Sequence, residues 1–248
     1  MKSFGLTDKG KVRKNNQDCF CIRRCEAKQC LIAALCDGLG GASAGEIASE
    51  TALNSFSDYV YSKLTSRVHK NPDIKTVLHD ACLEANSTVY DYSLFDVSLN
   101  GLGTTLVGGI VEDSGKVSLV NVGDSRAYLL RNAGGISQIT TDHSLVEDLI
   151  RSGALTREKA RKHPQKNIIT RAVGTEDGVE SDFFEAQLYE GDMLLLCSDG
   201  LYNYVSEDEM LECFRQYREP EEICRILMAL TFERGAGDNV TILSVVNE

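Results

Sequence analysis

Two apolar runs in this chain end in the same way, on an aspartate followed by a glycine. Leu31–Cys36 leads directly into Asp37-Gly38, and Leu194–Cys197 leads through Ser198 into Asp199-Gly200. A short, continuous apolar run is typical of a buried strand, and a glycine lets the backbone after it turn toward a ligand. The two runs therefore predict a β-rich core with carboxylates at its edge, placed where they can hold a cation.

Three more aspartates stand in similar surroundings: Asp18 near the start of the chain, Asp124 in the middle and Asp238 near the end. Any one of them could be a turn residue that bonds its own backbone. Five carboxylates gathered without cations would repel one another and lose hydration, so their convergence would imply bound metal. Ligands that are all oxygen select hard ions such as Mg²⁺ or Mn²⁺ over zinc or copper.

The bulk composition predicts one globular domain, residues 1–248, because 42% of the residues are hydrophobic and no low-complexity linker interrupts them. The net charge of −11 disfavours nucleic acid or an anionic membrane as the main partner. We expect a cytoplasmic protein, since no apolar run approaches the roughly 20 residues of a membrane span and no signal peptide is evident. Nine cysteines without a CxxC pair favour reduced thiols over disulfides or structural zinc.

Hydrophobic periodicity predicts alternating groups of strands and helices. The expected strands are residues 2–7, 18–24, 30–36, 104–112, 115–122, 125–131, 136–140, 181–188, 193–198 and 239–246. The expected long helices are residues 44–64, 74–92, 206–214 and 221–233, with Ser206 as an N-cap and Glu209 three residues on. This order favours an α+β fold with helices outside two stacked sheets, and the polar stretch after residue 144 is predicted to be a surface excursion bordering a site.

Eight short motifs, taken in order, resemble those of the PP2C (PPM) serine/threonine phosphatases of the compact bacterial type. They are Arg13-Lys14-Asn15-Asn16-Gln17-Asp18, Asp37-Gly38-Leu39-Gly40-Gly41, Gly103-Thr104-Thr105, Val122-Gly123-Asp124-Ser125-Arg126-Ala127-Tyr128, Thr141-Asp142-His143-Ser144, Ile169-Thr170-Arg171-Ala172-Val173-Gly174, Ser198-Asp199-Gly200 and Gly237-Asp238-Asn239-Val240-Thr241. The motifs span essentially the whole chain. The resemblance implies a four-layer αββα sandwich with a binuclear Mn²⁺ or Mg²⁺ site at one end of its sheets.

The resemblance also implies the metal ligands. Asp37 would bridge two ions, Gly38 would offer its carbonyl, Asp199 and Asp238 would complete the first ion's site, and Asp18 would act at the second ion through water. A third, weaker ion would use Asp124 together with Asp199.

The activity implied by the resemblance is hydrolysis of phosphoserine and phosphothreonine in proteins. A hydroxide bridging the two ions would attack phosphorus directly, without a phosphoenzyme, at a centre formed by Asp37, Asp199 and Asp238. Arg13 would grip the substrate phosphate, a role that suits its planar and permanently charged guanidinium. Residues 144–168 would form a flap beside the site. The expected partners are phosphorylated proteins, with the enzyme, a monomer, reversing the action of a serine/threonine kinase.

Two positions depart from the family pattern. Gln17 stands where Glu is common, which removes a negative charge beside the second ion. Leu39 stands where some members have a histidine that can act as general acid, so the leaving-group proton would come from elsewhere. His143 is the histidine to consider as a general acid in its place, although a structural hydrogen bond is the simpler interpretation of this residue.

Other classes of protein fit the sequence less well. Gly5–Val12 resembles a P-loop, but Val12 replaces the Ser or Thr that would hold Mg²⁺. Gly41–Gly45 matches the GxSxG nucleophile motif of serine hydrolases, although Ser43 is also a natural helix N-cap with Glu46 at N3. A cysteine phosphatase would need an arginine six residues after its cysteine, and none is present. The non-enzymatic alternative is a pseudophosphatase that only binds phosphoproteins, and the retained carboxylates argue against it.

Overall fold

Two antiparallel β-sheets lie face to face in the computed structural model, which describes residues 1–40, 44–67, 72–95, 101–160 and 162–248. The first sheet has the order β1-β11-β10-β7-β8, with bounds β1 Lys2–Asp8, β7 Arg126–Leu130, β8 Ile136–Gln138, β10 Met193–Cys197 and β11 Val240–Val246. The second has the order β2-β3-β5-β6-β9, with bounds β2 Asp18–Cys25, β3 Cys30–Leu39, β5 Leu106–Glu112, β6 Lys116–Val122 and β9 Asp182–Gln187. Strand β4, Gly103–Thr104, pairs with the end of β3.

Helices cover the outer face of each sheet. Two long helices, α1 Ala44–Thr65 and α2 Ile74–Phe95, pack on the second sheet, and α6 Glu207–Gln216 and α7 Pro220–Glu233 pack on the first. Three short helices, α3 Leu145–Arg151, α4 Arg157–Ala160 and α5 Asp199–Tyr202, lie along the chain between β8 and α6, and Glu26–Lys28 forms a 3₁₀ turn. The predicted four-layer αββα sandwich is confirmed.

The layering explains why the run before Asp37 is apolar at every position. Leu31, Ala33 and Leu35 of β3 face the layer between the two sheets. The alternating residues, Ile32 and Ala34 among them, face α1 and α2 on the other side. Because successive side chains of a strand point to opposite faces, a strand covered on both faces must be apolar throughout.

The strand ends that carry the predicted aspartates lie at one end of the sandwich. β2 begins at Asp18, and the β2–β3 register places Asp18 directly opposite Asp37. β10 ends just before Ser198-Asp199, and its neighbour β11 begins just after Asp238. Asp124 lies in the turn that joins β6 to β7. Sheet register therefore gathers residues that are far apart in the sequence.

Some details differ from the sequence prediction. The strand predicted at 104–112 is divided at Thr105, because the Thr105 N–H donates to the Asp37 carbonyl at 2.9 Å and so leaves the regular ladder. Helix α5 was not predicted. The capping box of Ser206 and Glu209 is confirmed, whereas Ser43, the other predicted N-cap, lies outside the described residues. All nine cysteines are free thiols, and none of the described helices is long and apolar enough to cross a bilayer.

Candidate metal centre

Asp37 is held by its main chain at the end of β3. Its N–H donates to the Thr105 hydroxyl at 3.0 Å, and its carbonyl accepts from the Thr104 hydroxyl and the Thr105 N–H, both at 2.9 Å. The Thr105 hydroxyl also bonds that of Ser125 at 2.8 Å, which links β3 to the turn carrying Asp124. With its backbone fixed on both sides, Asp37 can vary only by rotation of its carboxyl group.

Asp18 is a buried carboxylate with only half of its hydrogen-bonding capacity used. The Ser198 hydroxyl donates to Asp18 Oδ2 at 2.7 Å, but Asp18 Oδ1 is buried and has no hydrogen-bond partner in the part of the chain that the structure describes. Burial raises the pKa of Asp18 to about 6, against the opposing effect of the Ser198 hydrogen bond. An unpartnered buried carboxylate oxygen is costly unless something absent from a bare polypeptide, such as a cation, contacts it.

The remaining carboxylates add negative charge to the same place. Burial, followed by the charges of Asp18 and Asp199 and then of Asp124 and Asp238, raises the pKa of Asp37 well above its ordinary value. Burial and the charge of Asp124 likewise raise the pKa of Asp199 to about 8. These shifts arise because like charges in a desolvated site oppose ionisation. A divalent cation would reverse that effect.

Glycines allow the chain segments of the site to approach closely. A Cβ on Gly38 would collide with the carbonyl of Gly45 in α1, and a Cβ on Gly200 would collide with the carbonyl of Asn239. The Gly38 N–H also donates to the Gln17 carbonyl at 3.0 Å. Glycine therefore follows Asp37 and Asp199 for reasons of packing, which brings the carboxylate-bearing segments together.

Asn239 ties the loop that carries Arg13 to the start of β11. Its amide nitrogen donates to the carbonyls of Lys9 and Asn15, and its amide oxygen accepts from the Gln17 N–H at 2.9 Å. The side-chain amide of Gln17 lies against Gly45 of α1. Gln17 thus uses its main chain to support the site, and its side chain packs against a helix.

Arg13 lies beside Asp238. Its side chain is half exposed, and Arg13 Nη2 pairs with Asp238 Oδ2 at 2.8 Å. Asp238 Oδ1 accepts from the Asn239 N–H. A guanidinium at this position can neutralise a carboxylate or take a phosphate through the same N–H groups.

The donor set fits hard divalent ions, although the carboxylates are not closed around a single point. Among the described residues, no three His, Cys, Asp or Glu side chains form a ready-made metal cage, and Asp238 is paired with Arg13 instead. The orphan oxygen of Asp18, the all-oxygen chemistry and the raised pKa values of Asp18, Asp37 and Asp199 all favour a cation over an empty site.

His143 has a structural role. Its Nδ1 accepts from the Gly123 N–H at 3.1 Å, and its Nε2 lies 3.4 Å from Asp182 Oδ2. Burial, assisted by the charge of Arg171, lowers the pKa of His143. Held in this way, the imidazole stabilises the turn before Asp124.

Residues 144–168 form an excursion that closes on itself. Ser144 and Ile169 make an isolated bridge, and the Leu145 N–H donates to the Ile168 carbonyl at 2.9 Å. Between this excursion and α5 lies a cavity of about 350 Å³, and Asp124 lines it. The segment predicted as a flap therefore borders the carboxylates, with residue 161 outside the described part of the chain.

Two residues that support the site were missed by sequence reasoning. Asn203 donates its amide N–H to Asp199 Oδ2 at 3.0 Å and accepts from Lys166 Nζ at 2.7 Å. Tyr202 donates its hydroxyl to Asp124. Tyr202 and Asn203 lie two and three residues after the Ser198-Asp199-Gly200 motif, and that proximity was the available signal.

The structure tests the P-loop alternative but not the serine-nucleophile alternative. The segment after Gly10 forms a turn and then enters β2, so the helix that a P-loop requires does not follow it. Ser43 and most of Gly41–Gly45 lie outside the described residues.

Solved bacterial serine/threonine phosphatases share this sandwich. The S. agalactiae serine/threonine phosphatase superposes with a TM-score of 0.90 at 33% identity, covering 100% of this chain and 99% of that one. The catalytic domain of the phosphatase PstP, solved in complex with two manganese ions, superposes with a TM-score of 0.81 at 32% identity, covering 100% of this chain and 98% of that one. The architecture is thus that of a bacterial protein phosphatase.

The sequence matches the same class. The serine/threonine phosphatase stp of Listeria innocua is 41% identical over 239 residues, which are 96% of this chain and 93% of that protein. Residues 9–226 match the family model described as Protein phosphatase 2C. The chain belongs to the protein phosphatase 2C family, and it is an enzyme of the serine/threonine phosphatase class.

Proposed function

We propose that this chain hydrolyses phosphoserine and phosphothreonine in proteins with the help of bound Mn²⁺ or Mg²⁺. The observation that carries the proposal is the orphan Oδ1 of Asp18, which lies buried among carboxylates whose pKa values are raised. The manganese ions of the PstP structure support the same chemistry for this chain.

Each predicted ligand keeps its assignment in the proposal. Asp37 would bridge the two ions, and Gly38 would offer its carbonyl. Asp199 and Asp238 would complete the site of the first ion, and Asp18 would act at the second ion through water. Asp124 and Asp199 would hold a weaker third ion. Two divalent ions of this kind lower the pKa of a shared water and neutralise charge on phosphoryl oxygens.

Arg13 would bind the substrate phosphate after leaving Asp238. Its guanidinium Nη2 lies 2.8 Å from that carboxylate and compensates its charge. A cation that takes over the charge of Asp238 would release the N–H groups of Arg13, which can then form a bidentate contact with two phosphate oxygens. The Asn239 contacts hold the Arg13 loop in place for this exchange.

The flap would shape the surroundings of the phosphate. Residues 144–168 border the cavity beside Asp124, so a bound phosphoprotein would contact this segment as well as the Arg13 loop. We propose that the substrates are phosphoproteins made by a serine/threonine kinase and that the chain acts on them as a single cytoplasmic domain in monomeric form.

The direct test is turnover of p-nitrophenyl phosphate and of a phosphothreonine peptide with Mn²⁺, with and without a chelator. We expect hydrolysis that requires Mn²⁺ or Mg²⁺ and stops on chelation. Folded protein that binds phosphopeptide without any metal-dependent hydrolysis would instead identify a pseudophosphatase.

The role of Arg13 can be tested separately by Arg13→Ala. We expect KM for the phosphopeptide to rise about tenfold or more, with a smaller change in kcat, because a charged hydrogen bond to substrate is lost. Arg23→Ala is the matched control, since Arg23 pairs with Asp58 on the surface at 2.6 Å. An unchanged KM in Arg13→Ala would remove this residue from the proposal.

A further inference from the structure

Among the residues that the structure describes, Tyr202 provides the side-chain hydrogen bond that orients the carboxyl group of Asp124. Asp124 is only 8% exposed. The Tyr202 hydroxyl lies 3.3 Å from Asp124 Oδ2 and 3.1 Å from the Asp124 carbonyl oxygen. The hydroxyl is the donor, and both the side-chain Oδ2 and the main-chain carbonyl oxygen of Asp124 lie within its reach. It therefore fixes the side chain of Asp124 relative to its own backbone.

Tyr202 is itself held by a half-buried cation, Arg126, whose side chain is 22% exposed. The guanidinium of Arg126 stacks on the Tyr202 ring, with its central carbon 3.6 Å from the ring centroid. Arg126 cannot swing away, because its Nε and Nη2 donate to both oxygens of Asp142 and its Nη1 donates to the Tyr128 hydroxyl at 2.9 Å. A bidentate ion pair under an aromatic face is a rigid support for that ring.

Asp142, the partner of Arg126, is in turn held by a residue of β8. The Gln138 amide donates to Asp142 Oδ1 at 2.7 Å, and the Asp142 side chain is only 10% exposed. β8 thus fixes Asp142, Asp142 fixes Arg126, and Arg126 fixes the ring whose hydroxyl reaches Asp124. The side chains of this series are all buried or half-buried.

The series lies on the wall of the cavity of about 350 Å³ between the flap and α5. Asp124, Arg126, Asp142 and Tyr202 all line it. The cavity gives an ion and its waters room to approach Asp124. A purely structural hydrogen bond would not need to lie beside such a space.

We infer that Tyr202 is a positioning residue that holds Asp124 in the orientation required to bind the weakest metal ion. The inference rests on the proposed function, because it assigns a role toward an ion at Asp124 and Asp199. Partners that orient a metal ligand commonly change metal affinity by about 10- to 100-fold when they are removed.

The experiment compares Mn²⁺ binding by calorimetry in the wild type, Tyr202→Phe and Asp124→Asn, with melting temperature as a second measurement. Tyr202→Phe keeps the ring that stacks on Arg126 and removes only the hydroxyl. Tyr189→Phe is the matched control, since it removes a hydroxyl from a side chain that is 65% exposed and is not among the residues lining the cavity. Phosphopeptide hydrolysis is then measured as a function of Mn²⁺ concentration.

We expect the weakest Mn²⁺ dissociation constant to rise about tenfold in Tyr202→Phe. The tighter binding and the metal-free melting temperature should match those of Tyr189→Phe. Equal Mn²⁺ binding in Tyr202→Phe and the wild type would overturn the inference, as would a lowered melting temperature with unchanged binding. The inference would also be overturned if Asp124→Asn bound Mn²⁺ as the wild type does. A wild type that binds no Mn²⁺ would overturn the proposed function itself, whereas the other outcomes leave that function standing.

Discussion

Two buried aspartates in this protein, Asp192 and Asp18, have pKa values that their surroundings shift in opposite directions. Asp192 is 3% exposed and accepts from the N–H groups of Asn132 and Tyr189 and from Arg131 Nη1, at 2.7 to 3.0 Å. Burial alone would raise the pKa of Asp192, but the two N–H donors and Arg131 outweigh it and lower the pKa. Asp18 is 5% exposed, yet one of its oxygens has no partner and its pKa is raised.

The difference separates a structural carboxylate from one that is held for a ligand. A chain can satisfy a buried carboxylate completely, as it does at Asp192, so an unsatisfied one marks a place where stability has been given up. Among the described residues, the Asp18 carboxylate accepts from the Ser198 hydroxyl at one oxygen and from no donor at the other, whereas Asp192 has an arginine and two N–H donors. A divalent cation would supply the missing compensation.

The largest effect that tests this contrast is expected from Asp37→Asn. The substitution keeps the size of the side chain and removes the proposed bridging charge, so Mn²⁺-dependent turnover should fall by about a thousandfold or more. Steady-state hydrolysis of a phosphopeptide measures the change. Circular dichroism should show an intact fold.

Asp192→Asn is the matched control for that measurement, because it makes the same chemical change in a buried carboxylate outside the site. Its turnover at a temperature where it is folded should equal that of the wild type. Near-normal activity of Asp37→Asn would refute the assignment of Asp37.

The contrast also shows what the sequence could and could not predict. The strands and the strand-end positions of Asp18 and Asp37 follow from the apolar runs that these residues bound, because a short apolar run predicts a buried strand. The contacts of Tyr202 and Asn203 could not be predicted in the same way. They depend on side-chain reach from a four-residue helix that has no periodic signal.

The division at Thr105 was missed for a related reason. Leu106–Glu112 and Gly103–Thr104 both have strand-like sequences, and only the hydrogen bonds to Asp37 separate them. A tertiary contact of that kind leaves no trace in local residue pattern. The partner of each carboxylate, unlike the position of each carboxylate, had to come from the structure.

Mn²⁺ should stabilise the folded wild type. At a concentration of about one hundred times the dissociation constant, one site contributes about 3 kcal/mol to the free energy of unfolding. Urea unfolding with Mn²⁺ and with chelator measures the difference. Asp37→Asn should lose most of this stabilisation, and its metal-free form should be at least as stable as the metal-free wild type, because a repelling buried charge has been removed. Equal stabilisation of both proteins by Mn²⁺ would place the ion elsewhere.

At Asp192, in contrast to Asp37, removal of the charge should lower the stability of the protein. Asp192→Asn should lower the free energy of unfolding at pH 7 by about 2 kcal/mol, because Arg131 and the Tyr189 N–H, which both donate to Oδ2, lose their charged acceptor. The pKa of Asp192 is lowered on folding, so its contribution is complete above the unfolded value of about 4 and disappears as the pH falls through the folded value. Unfolding curves of the two proteins should therefore converge in strong acid. A constant difference down to that pH would contradict the assigned ion pair.

The smallest effect is expected at Glu209, a carboxylate that is satisfied but exposed. The side chain of Glu209 accepts from the Ser206 N–H and hydroxyl and pairs with Arg234, which is the main cause of a pKa lowered to about 2. Because solvent screens a side chain that is 40% exposed, Glu209→Gln should cost only about 1 kcal/mol, mostly through the weakened cap of α6. Urea unfolding at low and high salt measures it, and the difference from the wild type should shrink with added salt. A loss as large as that of Asp192→Asn would show that burial is not what separates these carboxylates.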